Sequence, residues 1–520
     1  MNRSSPPLLL ALLVVLVLLG LVAVRSWNNG EPGPETLVLS PPIGEPPPSG
    51  SPNVLFIVWD TVRADRLSLY GHDRPTTPWL ETFAEEAVVY DQAVSASFWT
   101  LPAHSSLFTG LPASAHRAIN RRDPWLDGQF TTLAEHLGAG GWDTYAWSTN
   151  PYVYVTTNVL QGFATVDDPM REGPWRDKAL ADTERCLHPG DRSSKASPEH
   201  PERGRLTPKN AGETIHVALV DWLEQRRDPE RPFFAFLNYM EAHTPRLPCA
   251  EARETMLGHD PELAELALST VADTHRLHRQ TLRQGRPLSE RQIEAILGVY
   301  DATLLELDRK TGALIRDLES RGLLDDTIVV ITSDHGEQFG EHGLFNHNFS
   351  VYQSLVHVPL VIRYPRGMPP GRVAETVSTR AVYPTVLDLL GLEPPRDDLL
   401  PSLRESLPNE AVAELIRPHS FAKGRKKLNR AYRALYEGPW KIIVANDGSR
   451  ELYDVASDPR ETTDRSGDQP DRREAMAART ETWRESVPEF VPTARPEMPS
   501  RDELREGLAA ELEALGYVEP

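Results

Sequence analysis

The chain has 520 residues, 40% hydrophobic and 25% charged, the balance of a globular protein larger than one ordinary core. Its formal net charge of −20 excludes nucleic acid as a bulk partner, because binding a phosphate backbone requires a basic face. An anionic small molecule would need local cations or a metal to hold it.

The chain opens with an unbroken apolar run from Leu8 to Val24, flanked by Arg3 and Arg25. That length is at the short end of a membrane span and slightly beyond a signal-peptide core. No Ala-x-Ala cleavage site and no lipid-accepting cysteine follows. Residues 1–26 therefore read as a membrane anchor in preference to a cleaved signal segment. Either reading exports the body of the protein, to the periplasm or the cell exterior. Residues 27–52 are rich in Pro and Gly, the composition of an extended linker.

From Asn53 the pattern alternates. "NVLFIVWD" is a continuous apolar, β-branched run ending in Asp60, which predicts a strand buried on both faces. "TPWLETFAEEAVVYDQA" predicts a helix and then a strand; "FTTLAEHLGAGGWDTYAWSTN" predicts a helix, a glycine break and another strand. "RPFFAFLNYMEAH" predicts a strand ending near His243. The amphipathic stretch from Gln292 to Gly322 predicts a long helix. "DDTIVVITSDHGE" predicts a second fully apolar strand ending at Asp334-His335, and "LVHVPLVIRYP" a further strand. Strands alternating with helices over residues 53–395 define an α/β domain with a central, mostly parallel sheet flanked by helices. Beyond it, "YRALYEGPWKIIVANDGSRELYDV" predicts short strands joined by an "NDG" hairpin turn, hence a small antiparallel C-terminal subdomain. The rest of 396–520 is a charged tail with helical stretches such as "RDELREGLAAELEALG". The two cysteines, Cys186 and Cys249, make no disulfide framework and no zinc cluster, and read equally as one bridge or two separate thiols.

Asp60 and Asp334 each stand just past a predicted buried strand, at the sheet edge where open α/β folds bind ligands. Carboxylates gathered there repel one another unless a cation lies between them. With His335 they offer donors suited to one divalent ion, Mn²⁺, Zn²⁺, Mg²⁺ or Ca²⁺. The competing reading is that each residue caps a helix or closes a turn. Thr100, in "SASFWTLPAHSSLFTG", carries the same ambiguity. Its hydroxyl is either a helix N-cap or, beside a cation and a helix dipole, an activated nucleophile.

Seven pieces, in order, resemble the sulfatase family of the alkaline phosphatase superfamily. They are "NVLFIVWDTVRADRLSLYG", "SFWTLPAHSSLFTG", "EAHTPR", "YDATLLELDRKTGALIRDLESRGLLDDTIVVITSDHGEQFGEHG", "VPLVIRYP", "YPTVLDLLG" and "ELYDVASDPRE". The resemblance implies an alkaline-phosphatase-like fold and a single metal site formed by Asp60, Thr100, Asp334 and His335. It implies that His243 contacts an anionic ester substrate or protonates its leaving group, and that His347 is a further substrate contact. His104 and Arg63 are additional candidates for the anion pocket, and His342 reads as structural.

The departures from the family narrow the chemistry. Formylglycine sulfatases open their motif with Cys or Ser in Cys/Ser-x-Pro-x-Arg, whereas this chain has Thr100-Leu101-Pro102-Ala103-His104. Threonine carries a methyl where the aldehyde carbon must form, so formylglycine is not expected. A covalent ester on a single oxygen must be opened by attack at phosphorus or sulfur, which favours phosphate and phosphonate esters over sulfate esters. The Asp-x-x-x-His pair of two-metal relatives is absent, since Asp301 is followed at the fourth position by Leu305. The set looks most like single-metal phosphoglycerol and phosphoethanolamine transferases and phosphonate monoester hydrolases. Three functions stand on the sequence: a phosphate or phosphonate ester hydrolase or transferase, with water or an alcohol as acceptor; a sulfuric ester hydrolase using unmodified threonine; and a catalytically silent module binding anionic polymers.

Overall fold

The apolar run that opens the domain forms the strand Asn53–Trp59, and its alternation sets the layering of the molecule. Val54, Phe56 and Val58 enter one hydrophobic core, while Leu55, Ile57 and Trp59 enter a second core on the opposite face. Because both faces are covered by apolar layers, the strand needs no polar side. The computed structural model describes residues 36–38, 44–187, 208–272, 286–416 and 429–493, with residues 122, 168, 170–172, 209, 227 and 406 excepted.

Ten described strands form the central sheet. From one edge they run Thr36–Val38, Thr165–Asp167, Asp143–Ser148, Phe233–Tyr239, Asn53–Trp59, Thr327–Thr332, Leu360–Arg363, Val88–Val94 and His357–Val358, with Gly371–Ser378 beside Val88–Val94. The middle is parallel: Asp143–Ser148, Phe233–Tyr239, Asn53–Trp59 and Thr327–Thr332 are successive parallel neighbours. "LVHVPLVIRYP" divides into His357–Val358 and Leu360–Arg363 because Pro359 has no N–H to offer the ladder. The Phe233–Tyr239 strand stops at Tyr239, so His243 sits in the following loop.

The helix Glu290–Ser320 runs for 31 residues and starts on a capping box, in which the Ser289 side chain accepts from Gln292 N–H and Gln292 reaches back to Ser289 N–H. C-terminal to the domain, strands Glu410–Leu415, Tyr432–Glu437, Trp440–Ala445 and Arg450–Asp454 make an antiparallel sheet, with the "NDG" turn between the last two. The helix Pro470–Ser486 covers one face through Met476 and Ala477. This subdomain reaches back to the main one: buried Lys441 donates to Val351 O at 2.7 Å, and Gln353 N donates to Glu461 at 2.6 Å.

Within the expected linker over residues 27–52, the described stretches 36–38 and 44–52 make contacts with the domain. Thr36–Val38 pairs antiparallel with Thr165–Asp167, Gly44 N donates to Gly138 O at 2.9 Å, and Trp142 Nε1 donates to Pro52 O at 2.9 Å. Its described part is stitched to the sheet edge, whose open donors and acceptors take up those of the segment. The expected anchor at residues 1–26 and the stretch "RDELREGLAAELEALG" lie outside the described residues. Among the described residues, no helix is long and apolar enough to cross a membrane.

Candidate active site

Three neighbouring parallel strands end on one edge and deliver the chemistry there. Asn53–Trp59 leads into Asp60, Thr327–Thr332 leads into Ser333-Asp334-His335, and Phe233–Tyr239 leads into the loop that carries His243. The turn after Asp60 is tight: Thr61 has φ +61°, a left-handed conformation that a β-branched residue adopts only where its surroundings hold it. Here Thr61 N donates to Asp334 Oδ1 at 3.1 Å and the Tyr300 hydroxyl donates to Thr61 O at 2.7 Å. The strained turn thus ties the two acid-bearing strand ends together.

Asp60, Asp334 and His335 are all buried, and each offers a ligand atom within 4.8 Å of the others. Asp334 Oδ1 accepts from Thr61 N and from His335 N at 2.8 Å. Asp334 Oδ2 is buried and accepts no hydrogen bond, and lies 3.2 Å from His335 Nε2. Burial pushes the Asp334 carboxyl up to about 7, with the backbone donors Thr61 and His335 opposing it only in part. Burial also lowers His335. Two acids and a neutral imidazole gathered away from water, one oxygen left without a donor, are the chemical complement of a divalent cation, so the residues fit the metal that the family resemblance implies.

Thr100 is the first residue of the helix Thr100–Thr109; the N-cap is Trp99, and no side chain caps this terminus. Its hydroxyl instead lies 3.3 Å from His335 Nε2. Thr100 thus makes no capping hydrogen bond at this terminus, and its side chain meets the segment that carries His335.

The site histidines share one pattern. His335 Nδ1 donates to Gly336 O at 2.9 Å, His243 Nδ1 to Thr244 O at 2.6 Å, and His347 Nδ1 lies 3.3 Å from Glu337 Oε1. Each ring is held through Nδ1, which sets the direction of its Nε2. The His347 ring centroid is 4.6 Å from that of His335 and 5.3 Å from that of His243.

Two candidates are placed differently from expectation. Arg63, expected in the anion pocket, is 5% exposed and gives its guanidinium to Asp65, Glu341 and the Glu337 carbonyl. His104 lies under Thr100: its Nδ1 donates to Thr100 O at 3.0 Å and sits 3.5 Å from Asp334 Oδ2, and burial lowers it to about 3. A residue one turn along the same helix reaches back toward that helix's own first turn. His342 stacks on Tyr352, with ring centroids 3.6 Å apart.

Other residues at the site were not singled out from the sequence. Asn150, in the loop after Asp143–Ser148, donates to Asp60 Oδ2 at 2.7 Å. Arg121 lies 4.3 Å over the Trp99 ring, next to Thr100, and its charge acts on His335. Arg246 donates to Glu337 at 2.5 Å. Asn150 follows a predicted strand and could have been found by the rule that located Asp60; the others depend on loop crossings that no periodicity announces. Cys186 and Cys249 are bonded to each other, with Cα atoms 4.6 Å apart.

The family described as Sulfatase matches residues 52–392, and the C-terminal family described as N-sulphoglucosamine sulphohydrolase matches residues 340–483. The chain belongs to the sulfatase family, an ester hydrolase family of alkaline-phosphatase-like fold. It is 34% identical over 201 residues to arylsulfatase K of Xenopus laevis, covering 36% of this chain and 37% of that protein. The chain therefore spans little more than a third of that relative's length. It is 26% identical to the multifunctional alkaline phosphatase superfamily protein PehA of Trinickia caryophylli, over 80% of this chain and 91% of that one. In structure it is similar to the phosphonate monoester hydrolase of Agrobacterium radiobacter, with TM-score 0.66 and 23% identity over 84% of this chain and 96% of the other, a likeness of fold.

Proposed function

We propose that this chain is an exported, metal-dependent hydrolase or transferase that cleaves phosphate or phosphonate esters through a covalent intermediate on Thr100. The observation that carries the reading is the position of the Thr100 hydroxyl, 3.3 Å from His335 Nε2 beside the Asp60–Asp334 pair, with no part in helix capping. Asp60, Asp334, His335 and Thr100 would hold the ion, which when bound acidifies the hydroxyl and neutralises charge on the ester.

The Thr100 oxygen forms a bond to phosphorus as the bond to the leaving oxygen breaks. Its own proton passes to solvent, and His243, entering the step as the imidazolium with its Nδ1–H on Thr244 O, protonates the leaving oxygen from Nε2. Water or an alcohol then attacks phosphorus, His243 takes up its proton at Nε2, and the bond from phosphorus to the Thr100 oxygen breaks as that oxygen regains a proton from solvent. Arg121, and His347 when it carries a proton on both ring nitrogens, would offer donors to the transferred group. One oxygen on Thr100 supports attack at phosphorus; the names of the relatives favour a second reading in which the same residue opens sulfate esters. Export is supported by the Cys186–Cys249 bridge, which suits an oxidising compartment, and by the apolar run at Leu8 to Val24.

Assaying the purified protein in parallel with aryl phosphodiester, phosphonate and sulfate substrates separates the two readings: turnover of the phosphorus esters should dominate. Thr100→Ala should abolish that turnover while the fold persists. Residual turnover by Thr100→Ala contradicts the covalent step, and exclusive turnover of sulfate contradicts the choice of ester.

A further inference from the structure

Beside His347 lies a buried ion pair that the chemistry above leaves unused. Glu337 is 2% exposed and Arg246 is 7% exposed. Arg246 Nη2 donates to Glu337 Oε2, the His347 Nδ1 atom lies 3.3 Å from Glu337 Oε1, and Arg63 Nη1 donates to the Glu337 backbone carbonyl at 3.0 Å. Arg246 is in the loop that carries His243, with its Nε donating to Ala242 O at 2.8 Å. Glu337 is in the loop that follows Asp334-His335. One carboxylate therefore joins loops that leave two different strands of the sheet. The Phe339 ring fills the space between, with the Arg63 and Arg246 guanidinium carbons 5.8 Å and 5.0 Å from its centroid.

We infer that Glu337 and Arg246 are positioning residues, a clasp that sets the orientation of the His347 ring and its spacing from His243. The inference rests on the Thr100 esterase reading above.

A buried ion pair is a weak source of stability, because desolvating both charges offsets their attraction. A pair of apolar side chains could fill the same volume. What apolar side chains cannot do is accept the Nδ1–H of an imidazole. His243 and His335 take their Nδ1 acceptors from adjoining backbone carbonyls, Thr244 O and Gly336 O. His347 takes its acceptor from a side chain in another loop, and that side chain is itself held by Arg246. Two histidines that must address one tetrahedral group need a set separation, and small displacements of such groups lower rate steeply.

The test uses the full-length, metal-loaded protein and the aryl phosphorus ester it turns over fastest. In Glu337→Gln the amide oxygen stays with Arg246 and the NH₂ faces the His347 Nδ1–H, so the ring loses its acceptor without loss of volume. We expect kcat to fall about 10–100-fold, the usual effect of removing an outer-shell partner, with KM changed less and metal content unaltered. Adding Arg246→Met frees the amide to turn its oxygen to His347, and part of the lost kcat should return. A merely structural pair would be damaged further by the second change. Wild-type kcat in Glu337→Gln, loss of its metal, or no recovery in the double variant overturns the clasp. Absence of ester turnover in the wild-type protein overturns the clasp and the functional reading together, which distinguishes that failure from the others.

Discussion

Asp301 and Asp334 are both fully buried aspartates, and the protein treats them in opposite ways. Asp301 accepts from Arg66 through both carboxylate oxygens, from Arg74 at 3.2 Å, and is 3.4 Å from His72 Nε2. Burial pushes its carboxyl up, yet His72 and Arg66 together bring it below the ordinary value. Asp334 has Asp60 and the neutral His335 for company, and burial wins, pushing it up to about 7. One acid is neutralised by side chains that fold with it; the other has no arginine or lysine paired with it among the described residues. Burial alone marks neither as functional. The sign of the surrounding charge does.

The largest expected effect tests that difference by removing charge at each place. Asp334→Asn should lower ester turnover by at least about 10³-fold, a loss on the scale of removing a principal transition-state contact, and should abolish stoichiometric metal binding. Metal analysis alongside kinetics checks both. Asp301→Asn should leave metal content intact and instead cost about 3–5 kcal/mol of stability, because Arg66 and Arg74 lose their buried partner. Denaturant titration reads that cost, and a metal-depleted but stable Asp301→Asn protein would erase the distinction.

Opening the Cys186–Cys249 bridge should cost about 2–4 kcal/mol, read as a lower midpoint of thermal unfolding in reductant. The bridge joins the helix Pro174–Leu187 to the end of the His243 loop, so the loss should accompany a lower kcat.

The pH dependence is the smallest effect and has a definite sign. Asp334 carries a folded pKa of about 7, above the ordinary 3.8. In the metal-free protein this stabilises the fold fully below about pH 4, and the contribution is lost as pH rises through about 7. A bound cation requires the ionised form, so divalent affinity should weaken below pH 7 by about tenfold per unit. Isothermal titration between pH 5 and pH 8 checks the slope; a flat profile would remove Asp334 from the ligand set.

Much of this site was legible because its residues stand where a strong pattern stops. Asp60 and Asp334 end two continuous apolar runs, and parallel neighbours in a sheet must bring those ends together. Thr100 required the motif, since a lone threonine before a helix reads first as a cap. Arg63 sits in the same "DTVRADR" text as Asp60, yet the turn at Thr61 directs its guanidinium to Asp65 and Glu341. Glu337 and Arg246 have no meaning until two loops cross. The cysteine pair could not be decided from two thiols 63 positions apart, because pairing depends on where the intervening chain returns. Residues 27–52 read as a linker because composition reports flexibility in isolation and is silent about an open sheet edge nearby.

The central claim is that one ion joins Thr100 to the acids and the imidazole. Anomalous diffraction at the metal edge of a crystal grown with Mn²⁺ or Zn²⁺ tests it most directly. The account predicts one peak, with Asp60, Asp334, His335 Nε2 and Thr100 Oγ1 all about 2.0–2.4 Å from it. A peak bonded elsewhere, or none at this edge of the sheet, would contradict it.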